Sequence, residues 1–172
     1  MPANVITYLM GYTTLLLVLL IITSLIYSHY YSIQTHLARL GYQSIAESIA
    51  GQIITIYRQG YNSSTTLKYP VYGPDGSIYD IIIGYGSAIK QIFPVMKTQG
   101  INDQYIYVVV KSGDGRYYWY RIVSSSSNII LGNPSNQVDY YMYSSSVILR
   151  IETKVIKNYT YITIQYMGLR KT

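Results

Sequence analysis

The sequence predicts an α+β fold: a long N-terminal hydrophobic helix followed by a small antiparallel β-sheet or sandwich head domain. Three observations carry this expectation. Residues 1–38 contain no Lys, Arg, Asp or Glu, and the first full charge is Arg39. Apolar residues then continue at helical spacing to about residue 59. From residue 67 onward the hydrophobic period changes from near four to two.

The first element is the apolar run at 5–27, VITYLMGYTTLLLVLLIITSLIY. As a helix rising 1.5 Å per residue it is roughly 35 Å long, enough to cross a bilayer core. A water-soluble surface would not leave it uncovered, so its home is lipid or an apolar core made by several copies of the chain. The start, MPANVITYLM, has no basic residue, and TSLIYSHYYSIQ after the core offers no small-residue cleavage site. A removable secretory signal is therefore not expected. A simple anchor would normally carry Lys or Arg beside its cytoplasmic end, and neither flank does so here.

The helix is expected to continue well past this run. Ile33, Leu37, Leu40, Ile45, Ile49, Ile53 and Ile56 form one stripe, accompanied by Ala38, Gly41, Ala46, Ala50 and Gly51. Gln34, Arg39, Gln43, Glu47, Gln52 and Arg58 occupy the other faces. Gly60-Tyr61-Asn62-Ser63-Ser64 is a stop signal. One helix over 4–59 follows, roughly 80 Å long. Its first half is apolar all round and its second half is amphipathic. The expected division is 1–60 for the helix and 61–172 for the head.

Strands are expected at 67–72, 77–84, 104–111, 116–123, 137–143, 146–157 and 159–167. Pro74-Asp75-Gly76 suits a type I turn, and Ser112-Gly113-Asp114-Gly115 suits a tight hairpin. Gly132-Asn133-Pro134-Ser135 and the serine runs 124–127 and 144–146 are expected to be loops. Along 146–157, Val147, Leu149, Ile151 and Val155 should face inward, with Arg150, Glu152 and Lys154 outward. YIYVVVK and RYYWYRI are apolar on both faces. Their second face should be covered by another sheet or by a neighbouring copy.

Composition narrows the function. The 172 residues include 13 basic and 7 acidic side chains, a net charge of +6, with 23 Tyr and no Cys. Without Cys, disulfides and thiolate metal sites are excluded. The basic residues are scattered singly, apart from Arg150, Lys154 and Lys157, which Glu152 interrupts. That pattern does not suit nucleic-acid binding. His29 and His36 share a helical face but have no further ligands at useful spacing. Gly84-Tyr85-Gly86 lacks the rest of a phosphate loop and reads as a strand end with no helix after it. Asp75, Asp103, Asp114 and Asp139 fall near turns or strand starts, where Asp is locally favoured. No convergent catalytic set is visible, so no enzyme, metal or cofactor is expected.

A helix of this length, apolar and then amphipathic, followed by an antiparallel β head resembles archaeal type IV pilins and the related archaellins. Bacterial type IV pilins carry a Glu near the start of the helix, whereas here the start reads MPANVITY and the first acid is Glu47. The resemblance implies a leader clipped by a dedicated peptidase, residence in the cell membrane before assembly, and a pilus-assembly machinery as partner. It also implies homopolymerisation into an extracellular cell-surface filament for adhesion. The missing basic region fits a chain numbered from its processed end. The filament-core residues would be Leu9, Leu15, Leu16, Leu17, Val18, Leu19, Leu20, Ile21, Ile22, Leu25 and Ile26. An archaellin of a motility filament is one alternative; a single-pass membrane protein with a β ectodomain, such as a stator or minor pilin-like component, is another.

Two triplets fit the N-glycosylation acceptor pattern, Asn62-Ser63-Ser64 and Asn158-Tyr159-Thr160, while Pro134 excludes Asn133. Both fall in expected turns, so N-linked glycans are candidate partners. The tyrosines suit either a small core and subunit seams or an amphipathic surface for adhesion or glycan stacking.

Overall fold

A computed structural model describes residues 2–60, 62–126 and 128–170. Met1, Tyr61 of the stop signal and Ser127 of the first serine run lie outside the described residues. The fold is α+β, with a long apolar helix followed by two small sheets. Helix α1 spans Pro2–Arg58. The chain forms two compact units, Met1–Leu37 and Ala38–Thr172, and α1 contributes to both.

The second unit is built around the C-terminal part of α1. Tyr42, Ile45, Ala46, Ile49, Ala50, Ile53 and Ile56 are buried at steps of one, three and four. That is the one-sided stripe an amphipathic helix needs. Ile33, Leu37 and Leu40, which the sequence places on the same stripe, are exposed. Burial begins at Ala38 and Tyr42.

One sheet runs β1-β8-β9-β5-β6, with β1 at Ser63–Thr66, β5 at Ile129–Asn133, β6 at Asn136–Gln137, β8 at Val147–Ile156 and β9 at Tyr159–Leu169. The other runs β4-β3-β2-β7, with β2 at Tyr79–Tyr85, β3 at Ile106–Ser112, β4 at Tyr118–Ser124 and β7 at Tyr140–Ser144. All pairings are antiparallel except β5 with β9, where Ile129 lies opposite Thr160 and Leu131 opposite Ile162. Ile81, Ile83, Val108 and Val110 of one sheet share a core with Leu131, Leu149, Ile151, Ile162 and Ile164 of the other and with the helix stripe. Each large side chain buried there contributes roughly 1.5–3 kcal/mol.

The second face of β3 differs from expectation, and β2 beside it shares the same cover. Ile82, Tyr107 and Val109 pack against Ile89, Met96 and Ile101. The cover is helix α2 (Gly86–Ile92) and a 3₁₀ turn (Pro94–Thr98) of the same chain, so neither a second sheet nor a neighbouring copy is needed there. Gly86, Ala88, Ile89 and Met96 are the buried residues of this cover. The helix has only seven residues, too short for its periodicity to be recognised in the sequence.

Residues 67–72 are not a strand, contrary to the expected run. The ladder ends at Thr66, one Leu67 N–H reaches the Leu149 carbonyl, and Pro70 has no N–H to offer. The side-chain amide of Gln52 stands in for a neighbouring strand at Lys68. Its Oε1 accepts the Lys68 N–H at 2.7 Å and its Nε2 donates to the Lys68 carbonyl at 2.7 Å.

Val155 also departs from expectation. It is exposed, and Thr153 takes the buried position on that face, sharing a 2.8 Å hydroxyl contact with Ser63. Ser145 is no plain loop residue either. It is buried, donates to the Val71 carbonyl and accepts the Tyr79 N–H.

The turn at Pro74 seats on the helix. The Gly76 N–H bonds the Gly73 carbonyl at 2.9 Å, which closes the expected turn. Asp75 accepts from the Tyr42 hydroxyl at 2.7 Å and from the Ser77 N–H and hydroxyl. A Cβ on Gly41 would lie 2.1 Å from Pro74 Cγ, so the glycine is what lets the turn approach. Burial pushes the Tyr42 hydroxyl well above its usual pKa of 10.0, and the Asp75 bond adds to this. Burial acts to raise Asp75, but the bonds from Tyr42 and Ser77 outweigh it and hold the carboxyl below its usual range.

Candidate functional site

The first unit is a single helical segment, and its surface is its main chemical feature. Every side chain from Asn4 to Gln34 is exposed. Leu9, Leu15, Leu16, Leu17, Val18, Leu19, Leu20, Ile21, Ile22, Leu25 and Ile26 are all among the exposed large hydrophobics, with Leu19 at 59% and Leu20 at 67%. Solvent-exposed apolar surface on this scale marks a contact region with protein or lipid. The segment is long and apolar enough to cross a membrane, by length and composition.

Three threonine hydroxyls within this surface are already satisfied. The Thr13 hydroxyl donates to the Leu9 and Met10 carbonyls, Thr14 to Met10, and Thr23 to Leu19, at 2.8–3.0 Å. A hydroxyl bonded to the preceding turn can enter an apolar medium without losing a partner. Tyr8 and Tyr12 lie toward one end of the run and Tyr27, Tyr30 and Tyr31 toward the other. Between Tyr8 and Tyr30 the helix rises roughly 33 Å, close to a bilayer's hydrocarbon thickness. Aromatic rings at both ends are the arrangement that membrane interfaces favour. Tyr8, Gly11, Tyr12 and Leu15 frame a shallow notch in the helix surface, where Gly11 has nothing within 4 Å of its would-be Cβ.

The remaining candidates are dispersed. His29 and His36 are exposed on α1, and no group of three His, Cys, Asp or Glu comes together among the described residues. Gly84-Tyr85-Gly86 is a strand end as expected, but α2 follows it directly. The Gly86 N–H is taken by the Tyr105 carbonyl, and a Cβ on Gly86 would fall 2.0 Å from the Asn102 oxygen. The glycine admits a crossing backbone. Asp103 pairs with Lys90 at 2.9 Å. Asp114 accepts from the Ser112 hydroxyl and the Arg116 N–H and guanidinium, which hold its pKa down at about 2. Asp139 offers its carbonyl to the Tyr85 N–H. These acids serve local structure and converge on no common point. Arg150, Lys154 and Lys157 are strung along β8 and its turn, with Arg150 bonded to Ser64 and paired to Glu152 at 3.2 Å.

The two acceptor asparagines lie toward the same end of the five-stranded sheet. Asn62 is exposed and its Oδ1 accepts the Val155 N–H at 3.3 Å. Asn158 is exposed in the two-residue turn between Ile156 and Tyr159, three residues beyond Val155. Beside Asn62 is a polar cleft of about 300 Å³, lined also by Ser64, Asn133, Glu152, Lys154 and Thr163. Tyr161 sits opposite Lys154 on the same sheet face. The sequence pattern found the asparagines. The cleft depends on the β8–β9 register and on the parallel strand β5, neither of which a local pattern reveals.

Compared with models of protein families, with curated proteins and with solved structures, the chain matches none of them.

Proposed function

We propose that this chain is the structural subunit of an extracellular archaeal type IV pilus, non-enzymatic, which homopolymerises through its apolar helix and serves adhesion. One observation carries the reading: an uncharged helical surface from Asn4 to Gln34 that stands exposed among the described residues. Copies of the same segment are the natural cover. Burying the large side chains from Leu9 to Ile26 out of water is worth on the order of tens of kcal/mol before entropy costs. Starting from lipid the gain is smaller, because lipid is already apolar. An assembly machinery would therefore extract each subunit from the membrane after a leader peptidase has acted. An archaellin would use the same helix and is separated from a pilus by swimming rather than adhesion.

A second reading, a single-pass membrane protein with a β ectodomain, is favoured by the tyrosines at the two ends of the apolar run. The test is negative-stain electron microscopy of material sheared from cells, with intact mass of the same sample. Filaments containing this chain support the subunit reading. A chain that stays with membranes and is released only by detergent as a small particle overturns it in favour of the anchored ectodomain.

A further inference from the structure

We propose that Asn62 and Asn158 are both N-glycosylated, so that two oligosaccharides cap one end of the five-stranded sheet. The inference rests on the extracellular location proposed above. Its own observations come from the geometry of that sheet end.

Asn62 is exposed, and its amide is anchored through Oδ1, which accepts the Val155 N–H in a contact that does not engage Nδ2. Nδ2 is the atom that carries a glycan. Asn158 stands in an exposed two-residue turn, where an attached chain meets no packed neighbour. Only Ile156 and the turn residue Lys157 separate Val155 from Asn158, so both asparagines lie toward the same end of the sheet. Glycans on the two asparagines would therefore emerge side by side.

The ground next to Asn62 suits a saccharide. The cleft presents hydroxyl, amide and carboxylate groups from Ser64, Asn133, Thr163 and Glu152. Thr163 and Asn133 are bonded to each other at 2.8 Å, and Gln165 donates to Glu152 at 3.2 Å, which fixes the lining. Tyr161 and Tyr159 alternate onto the same face of β9. An aromatic ring beside hydroxyl-binding groups is a platform for a sugar's apolar face.

The sheet end also benefits from cover. β1 is an edge strand of four residues with no charged side chain, and Ser64, Thr65 and Thr66 are exposed. An uncharged edge offers unpaired backbone groups to another copy. A bulky polar chain on Asn62, the residue before β1, would block that pairing.

The chemistry needs a glycosyl donor, a lipid-phosphate-linked oligosaccharide, and its transferase. The Asn Nδ2 attacks the anomeric carbon. A C–N bond forms as the C–O bond to phosphate breaks, the phosphate leaves with the electron pair, and Nδ2 loses one proton.

The test is tryptic peptide mass mapping of the full chain purified from its native host. Cleavage after Arg58 and Lys68 isolates 59–68, and cleavage after Lys157 and Arg170 isolates 158–170. Both peptides should be heavier by an oligosaccharide, with fragmentation placing the added mass on Asn62 and Asn158. The peptide bearing Asn133 should have its unmodified mass. An unmodified Asn62 or Asn158, or added mass confined to Ser or Thr, overturns the proposal. Ser64→Ala, which removes the acceptor pattern but leaves the Asn62 contact in place, should return 59–68 to its unmodified mass. Sheared filaments from the same culture separate the two readings. Unmodified peptides in filaments remove only the glycans; modified peptides in a chain that never forms filaments remove only the polymer.

Discussion

Two glycines on one helix should answer the same substitution with opposite signs. Gly51 is exposed, and nothing stands within 4 Å of a Cβ built there. Gly51→Ala should therefore stabilise the fold by about 0.8–1 kcal/mol through helix propensity alone. Gly41→Ala gains the same propensity, but its methyl would lie 2.1 Å from Pro74 Cγ and 2.7 Å from Pro74 Cβ. A proline ring cannot rotate aside, so the turn must withdraw by more than about 1 Å to reach ordinary contact. That movement breaks the 2.7 Å bond from Tyr42 to Asp75. Overpacking costs about 1–3 kcal/mol, and losing a hydrogen bond to a carboxylate costs about 1.5–3 kcal/mol. The net effect should be a loss of about 2–4 kcal/mol. At about 3 °C per kcal/mol, thermal unfolding in detergent should fall by roughly 6–12 °C for Gly41→Ala and rise by roughly 3 °C for Gly51→Ala. Near-UV circular dichroism of the tyrosines reports the transition. If Gly41→Ala raises the midpoint as Gly51→Ala does, Pro74 is not seated on the helix.

Further expectations concern charge, turns and assembly. Burial raises the pKa of Tyr42 and Tyr79 well above 10.0 and that of Tyr69 to about 12. Above pH 10 the unfolded chain loses these protons first, so this stabilisation is complete below pH 10 and is lost as pH rises through the folded values. Tyrosine absorbance at 295 nm should show a late, cooperative step coincident with unfolding; one non-cooperative step near pH 10 with the fold intact would contradict this. Asp75, depressed below 3.8, stabilises above that value and ceases to do so as pH falls through its folded pKa. The stability gap between wild type and Asp75→Asn should accordingly narrow in acid, as read by thermal melts at stepped pH. Lys157 holds φ at +55°, so Lys157→Gly should stabilise by about 0.5–1 kcal/mol in a denaturant titration. Leu19→Asp strands a charge on the helix surface and should abolish filaments while leaving the head's circular dichroism unchanged; normal filaments would refute burial of that surface.

The long helix was legible because its signal is dense: no charge through residue 38 and an apolar stripe over many turns. The β8–β9 hairpin was legible too, since a ten-residue strand alternating around Arg150 and Glu152 leaves one register. What escaped was whatever depends on distant partners. Residues 67–72 look like a strand, yet their neighbour at Lys68 is a glutamine side chain sixteen residues earlier. Gly132 and Asn133 read as part of a loop because Gly132 and Pro134 dominate that stretch, yet they pair with Gln137 and Asn136 and end a strand whose first three residues run parallel to β9. Tyr42 was not among the stripe residues expected from the sequence although it lies three residues before Ile45, and its burial depends on the Pro74 turn and on stacking with Tyr117, centroids 6.0 Å apart. The asparagine pair was visible as a motif, but their shared location required the sheet.

The threonines of the apolar helix have a mechanical consequence. Thr13, Thr14 and Thr23 spend their hydroxyl protons on their own backbone, so at these three positions the surface among the leucines offers a neighbour no hydroxyl donor. Contacts made through these threonines and the leucines around them depend on shape and dispersion, which change gradually as one rod slides past another. A bundle held this way would yield under tension by small axial slips and recover when the load is released, behaving as an extensible cable rather than a brittle one.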